Sequence, residues 1–218
     1  MKSFFALIAL AGTALASGFN GTWDATILTG GETVPFQLEV SESPARVCFF
    51  EDTQPVCSTA ARIEAGTMIA QWDYLNRELR LETAGDGLQG VYRGLRTTRS
   101  LAVQAKPHQM AADSPQPAAD LAGDWEIHSA GRPVLAWQLL LRQTGHDLKG
   151  TILRVDGDDG TLVGRVEGKH FLISHFSGDR PVMLEGTLAA DGSLDLQFEG
   201  SRLFALRPAA ARARNLTP

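Results

Sequence analysis

A short phrase occurs twice in this chain. Gly21-Thr22-Trp23-Asp24 near the start returns as Gly123-Asp124-Trp125-Glu126 past the middle. Each copy opens a series of short apolar stretches broken by Gly, Asp and Asn. A helix that is stable in water needs roughly 12–15 residues, and no amphipathic stretch of that length is present. Strands need only a few. Trp23, Ala25 and Ile27 alternate with Thr22, Asp24 and Thr26, and Phe36, Leu38 and Val40 alternate with Gln37 and Glu39. Period-two alternation marks a strand with one buried face. The chain therefore reads as all-β, in two tandem versions of one module.

The first module is expected over residues 17–107. After its opening strands come Ala61 to Ile63, Met68 to Trp72, Leu79 to Glu82, Leu88 to Tyr92 and Leu101 to Val103. The breaks are Gly30-Gly31, Ala65-Gly66, Leu75-Asn76, Gly85-Asp86-Gly87 and Gly94. Residues 108–120, rich in Ala, Gln, Pro and Asp, cannot bury a core and are expected to be an extended, mobile linker. The second module is expected over 121–208, with strands from Trp125, Leu135, Leu148, Thr161, His170, Val182, Ser193 and Leu203. Residues 209–218 form a tail or the start of a further linker, with room for one helical turn.

The copies align beyond the opening phrase. Phe36-Gln37-Leu38 matches Trp137-Gln138-Leu139, Asp86-Gly87 matches Asp191-Gly192, and Gly94 matches Gly200. Self-similarity at a long period is the trace of a duplication. Short strands in regular succession suggest an antiparallel up-and-down barrel of about eight strands for each module. The Gly-x-Trp phrase resembles the first-strand signature of lipocalin-like barrels of the calycin type, and implies a Trp in the core at one barrel end.

Lys2, the apolar run Phe4 to Ala14 and the small-x-small triplet Ala14-Leu15-Ala16 fit a signal peptide over 1–16. The run is too short for a comfortable membrane span, so no span is expected after cleavage, and a periplasmic or secreted location is. The alternative is an uncleaved anchor helix. The net charge of -5 speaks against nucleic acid and against an anionic membrane surface, both of which select clustered Lys and Arg.

An oxidising compartment makes the two cysteines informative. If the chain turns at Asp52-Thr53, Glu51 faces Gln54, Phe50 faces Pro55, Phe49 faces Val56 and Cys48 faces Cys57. Hydrogen-bonded and non-hydrogen-bonded pairs alternate outward from such a turn. Pro55 then falls where its missing N–H costs nothing. Cys48 and Cys57 fall at a position close enough to bridge. A structural disulfide is the expectation. A redox-active pair is the alternative, although redox pairs sit closer together, at a helix N-terminus.

Chemistry-bearing patterns are sparse. The five histidines His108, His128, His146, His170 and His175 make no zinc spacing. His170 and His175 share a strand but point to opposite faces, as do the neighbours Ser174 and His175. No nucleophile elbow or nucleotide-binding Gly motif occurs, so no cofactor and no metal are expected. Asp156-Gly157-Asp158-Asp159-Gly160 is read as a tight turn, with a calcium loop as the alternative. The most polar cluster among apolar strands comprises Arg154, Asp156, Asp158, His175, Asp179 and Arg180. It is expected as a charged rim at one barrel end, or as a ligand-binding or docking mouth.

The run Ile152-Leu153-Arg154-Val155-Asp156-Gly157-Asp158-Asp159-Gly160-Thr161-Leu162-Val163-Gly164 resembles the region upstream of the catalytic domain in exported TlpA-like thiol–disulfide oxidoreductases. Leu172-Ile173-Ser174-His175-Phe176-Ser177-Gly178-Asp179-Arg180-Pro181 is similar to the same region, as are Gly21 to Thr26 and Val34-Pro35-Phe36. Those proteins carry a thioredoxin fold with a Trp-Cys-x-x-Cys motif after this region. Here the only cysteines are Cys48 and Cys57, so no catalytic residue carries over. The resemblance implies a non-catalytic binding or accessory module, with a thioredoxin-fold domain or an envelope protein as its partner. On this reading the chain is a fragment, a truncated product or a free-standing relative. Two alternatives remain: a lipocalin-like carrier with a cavity lined by Phe36, Trp72 and Trp137, and an enzyme using His175 and Asp156.

Overall fold

The computed structural model describes residues 18–51, 54–110, 115–131 and 136–214. The segment 1–16 expected to be a signal peptide and the turn expected at 52–53 lie outside the described residues. The chain is all-β, and its two modules are both barrel-like.

The first sheet holds β1 (Gly21–Thr29), β2 (Glu32–Glu42), β3 (Ala45–Glu51), β4 (Gln54–Cys57), β5 (Ala60–Glu64), β6 (Thr67–Trp72), β7 (Arg77–Ala84), β8 (Gly87–Gly94) and β9 (Ser100–Pro107). Its order is β4-β3-β2-β1-β9-β8-β7-β6-β5. The sheet curls through the β1–β9 pairing but leaves a seam between β4 and β5.

The second sheet holds β10 (Gly123–His128), β11 (Trp137–Thr144), β12 (Asp147–Arg154), β13 (Gly157–Asp158), β14 (Leu162–Glu167), β15 (His170–His175), β16 (Val182–Leu188), β17 (Leu194–Phe198) and β18 (Ser201–Leu206). Here β18 returns to β10 and β11 pairs β12, which closes an eight-stranded barrel with β13 as a side ribbon.

The duplication is visible in hydrogen bonds. Trp23 Nε1 donates to Phe19 O and Trp125 Nε1 to Leu121 O, both at 2.9 Å. Trp23 faces Leu38 across the ladder, and Trp125 faces Leu139. Ala25 faces Phe36, and Ile127 faces Trp137. Both Trp rings are buried, as interior-facing positions of a small barrel require.

The copies part at the seam. In the second barrel Asp147–Gly150 pairs with β14, while Leu153 and Arg154 pair with β13. In the first, Cys48–Glu51 pairs with β4, and Val47 reaches only Ser58. Ser58 N–H donates to Val47 O at 2.8 Å, and Val47 N–H to Ser58 Oγ at 3.2 Å. No ladder joins β3 to β5. Pro55 and the Arg62–Glu64 ion pair lie on the two strands beside the seam, where proline and charge discourage edge-to-edge pairing.

The cysteine hairpin has the register expected from its sequence: Glu51 opposite Gln54, Phe50 opposite Pro55, Phe49 opposite Val56 and Cys48 opposite Cys57. The cysteines form a disulfide, with Cα atoms 3.9 Å apart.

The stretch 108–120 makes hydrogen bonds at each end. His108 Nδ1 lies 2.7 Å from Asp24 Oδ1, and Gln109 N–H donates to Asp24 Oδ2 at 3.2 Å. Ala119 N–H donates to Gly168 O at 2.7 Å and Ala119 O accepts from Gln143 Nε2 at 2.9 Å. One expectation is corrected: the hairpin expected at Asp156–Gly160 turns earlier, at Val155-Asp156, because Gly157-Asp158 pairs back onto β12 as β13.

Near the end of the described residues the chain forms the short helix α1 (Pro208–Ala213). It follows Arg207, whose guanidinium lies 4.0 Å from the Trp125 ring centroid and donates to Ala122 O at 2.6 Å. Among the described residues no helix is long and apolar enough to cross a membrane.

A buried carboxylate sits on the outer face of the first barrel. Glu78 has a 4% exposed side chain and accepts hydrogen bonds from Arg80 at 2.7 Å, Arg93 at 2.8 Å and Gln71 at 3.0 Å. Burial pushes its carboxyl up, but the bonds from Arg80, Gln71 and Arg93 outweigh burial and hold it down to about 2.

Two outcomes follow from this fold. Replacing Cys48 and Cys57 with Ala should lower the stability read by urea unfolding by about 2–3 kcal/mol, the value of closing a short loop. A depressed carboxyl contributes stability above its ordinary value and loses it as pH falls. Stability should therefore drop between pH 4.5 and about 2, and Glu78→Gln should flatten that part of the pH profile.

Candidate functional site

The segment His175-Phe176-Ser177-Gly178-Asp179-Arg180-Pro181 joins the end of β15 to β16. It is polar except for Phe176. That ring leaves the second barrel and enters the first, where it is 2% exposed. It meets Phe36 and Phe49 at centroid distances of 4.9 Å each, and Tyr92 at 5.3 Å, all edge-to-face. Phe49 in turn stacks on Trp72 at 4.5 Å. Edge-to-face contact brings a ring's positive edge to its neighbour's negative face, which favours such clusters beyond their buried area.

Gly178 follows two residues later with φ +102°, a conformation for which glycine is suited. A Cβ there would lie 2.8 Å from Leu75 Cδ1 and 3.0 Å from Phe49 Cε2. The absent side chain lets the loop backbone approach the first barrel. The Tyr92 hydroxyl then donates to Gly178 O. Burial pushes the Tyr92 phenol up, so it stays a donor at physiological pH. A second cross-module bond runs from Ser174 Oγ to Pro35 O at 2.7 Å.

The far end of the loop is held by charge. Arg180 reaches Glu199 at 2.7 Å and Asp159 at 3.2 Å, and Arg154 reaches the same Asp159 oxygen at 2.6 Å. The Asp159 side chain is 3% exposed. Burial pushes its carboxyl up, against the pull of Arg154 and Arg180. Arg154 also lies 5.4 Å from the Trp137 ring centroid.

Five of the six residues singled out in the sequence meet here. Arg154, Asp158, His175, Asp179 and Arg180 line one polar pocket of about 360 Å³, together with Asp159. Asp156 stands 81% exposed in the hairpin turn, 3.8 Å from Arg154. Asp158 Oδ1 accepts from Gly160 N–H at 2.8 Å, just beyond β13. The three aspartates thus have three different surroundings, and among the described residues no group of His, Cys, Asp or Glu is placed to hold a metal ion. Nor does a hydrogen bond join His175 to Asp156 among the described residues. The His175 ring lies 3.3 Å from Thr161 O through Nδ1 and 3.1 Å from Ser177 Oγ through Nε2. The sequence reading missed Asp159, Glu199 and Phe176. The only available signal was a lone Phe within a Ser, Gly and Asp loop.

By fastening the barrels, the loop creates a larger space beside it. A cleft of about 570 Å³ lies between the outer face of β1–β3 and the outer face of β12, β14 and β15. Inward positions on these strands fill the cores, so the next positions along face outward. Thr26, Pro35, Gln37 and Phe50 come from the first barrel; Lys149, Val163, Arg165 and Leu172 come from the second. Phe36 and Phe176 also line it. Arg165 Nη1 donates to Asp147 Oδ1 at 2.7 Å on this wall. The space is ligand-sized, lies between modules and combines apolar walls with a few polar groups, the usual composition of a binding site.

No protein-family model matches the chain, and no curated protein matches it.

Removing one member of a buried ion pair strands the other. Asp159→Ala should therefore cost about 3–5 kcal/mol in urea unfolding, whereas Asp156→Ala, at an exposed position, should stay within about 0.5 kcal/mol.

Proposed function

We propose that this chain is an exported, non-catalytic binding module and that the cleft between its two barrels is the binding site. The observation that carries this is the cleft: about 570 Å³, walled by Pro35, Phe50, Val163 and Leu172, at the junction of two fastened modules. Pockets of this size and composition bind small, largely apolar ligands. The signal-like segment over 1–16 and the disulfide between Cys48 and Cys57 support an exported protein. The resemblance to the region upstream of TlpA-like thioredoxin domains supports an accessory role, in which the cleft holds a client or ligand beside a thioredoxin-fold partner.

A carrier that binds inside its barrel has less support. Trp72, Phe49, Phe171 and Phe198 are almost wholly buried inside the barrels, and Trp137 is only half-buried at its rim. The interior positions that a lumen would need are filled with side chains, which leaves such a carrier no ready-made lumen.

Titration of the purified chain with the apolar dye N-phenylnaphthylamine tests the proposal. Saturable binding is expected. Leu172→Arg and Val163→Arg each place a charge on the apolar wall and should weaken it at least about tenfold, because an unpaired charge in an apolar site is costly, with the far-UV circular dichroism unchanged. Dye affinity that ignores both substitutions would contradict the site. Turnover in a thiol-dependent insulin reduction assay would contradict the non-catalytic reading.

A further inference from the structure

The first barrel does not complete its own core. Its buried cluster draws on residues between Phe19 and Ala105, with one fully buried exception, Phe176. The second barrel's buried cluster draws only on its own module. The rings of Phe36, Phe49 and Tyr92 surround Phe176, and Trp72 lies behind them. Beside that ring the Tyr92 hydroxyl takes a carbonyl, Gly178 O, as its acceptor.

We propose that the mouth of the first barrel is a binding site for a single aromatic ring bearing a hydrogen-bond acceptor, and that Phe176 with the Gly178 carbonyl is its resident occupant. The site recognises the ring through edge-to-face contacts and the acceptor through Tyr92. The segment 176–181 belongs to no strand, and besides the Phe176 ring its anchors are a hydrogen bond and the ion pairs of Arg180. A tethered occupant acts at an effective concentration on the order of millimolar. A free ligand of the same chemistry must exceed that to displace it. Phe36 and Phe176 line the inter-barrel cleft as well, so a displaced Phe176 would open the mouth into the cleft. This proposal stands apart from the cleft reading, because it concerns the inside of the first barrel.

The test is chemical rescue. Phe176→Ala removes the resident ring and leaves an aromatic-lined space, and apolar cavities of that kind take up small aromatics. N-methylbenzamide supplies both ring and carbonyl, and toluene supplies the ring alone. Thermal unfolding and Trp fluorescence are followed for wild type and variant. Both compounds are expected to raise the Tm of F176A, N-methylbenzamide more than toluene, and to leave the wild type unchanged at sub-millimolar concentration. At ten times its Kd the ligand should raise the folded-to-unfolded ratio of F176A roughly tenfold. Adding Tyr92→Phe should erase the preference for N-methylbenzamide over toluene. If F176A is unfolded alone, N-methylbenzamide is expected to restore its circular dichroism. The proposal is overturned if neither compound stabilises or refolds F176A, or if the wild type responds equally. Leu172→Arg in the F176A background separates the two sites: ligand rescue should persist, while a failed cleft reading shows instead as absent dye binding by wild type.

Discussion

The contact between the two modules centres on one buried ring. Phe176 leaves the barrel that carries it and fills an aromatic space in the other. A Phe side chain so buried is worth about 2–3 kcal/mol of transfer free energy, and its neighbours are arranged around it. Gly178 allows the backbone to follow the ring, Tyr92 and Ser174 tie the crossing with hydrogen bonds, and Arg180 anchors the far end on Asp159 and Glu199. The cleft is a consequence. Two convex outer faces held together at one place leave a space beside the contact, and here its walls are Pro35 and Phe50 against Val163 and Leu172.

The duplicated modules show how one plan can end in two forms. The Trp anchors, their carbonyl acceptors and their cross-strand partners coincide. The difference lies in what happens after the third strand. In the second barrel the near half of β12 is free to pair with β14, and the ladder closes. In the first, the disulfide hairpin occupies the far half of β3, and the near half finds only Ser58. The copy with the open seam is also the copy that takes in a foreign ring.

Local features were legible in the sequence, and for a physical reason. Strand alternation, turn residues and the Pro55 position together determine the cysteine hairpin, down to each facing pair. The Trp alignment held because period and turn spacing survive duplication. The polar patch was legible as a set, since Arg154, Asp158, His175, Asp179 and Arg180 do converge. Its hub was not. Asp156, Asp158 and Asp159 look alike in one turn, and only the fold shows that Asp159 is the buried one. The crossing of Phe176 was also hidden, because its partners Phe36, Phe49 and Tyr92 are far away in the chain. The same holds for the backbone bonds of Gln109 and Ala119, whose partners Asp24 and Gly168 are distant in the chain.

The most direct measurement of the central claim, that the two barrels bind jointly in the cleft between them, is a map of backbone amide shifts during titration with N-phenylnaphthylamine. Shifts are expected on both walls at once, at Thr26, Gln37 and Phe50 on one side and at Val163, Arg165 and Leu172 on the other. Shifts confined to one module, or to inward-facing core positions such as Ile127 and Ile173, would contradict it.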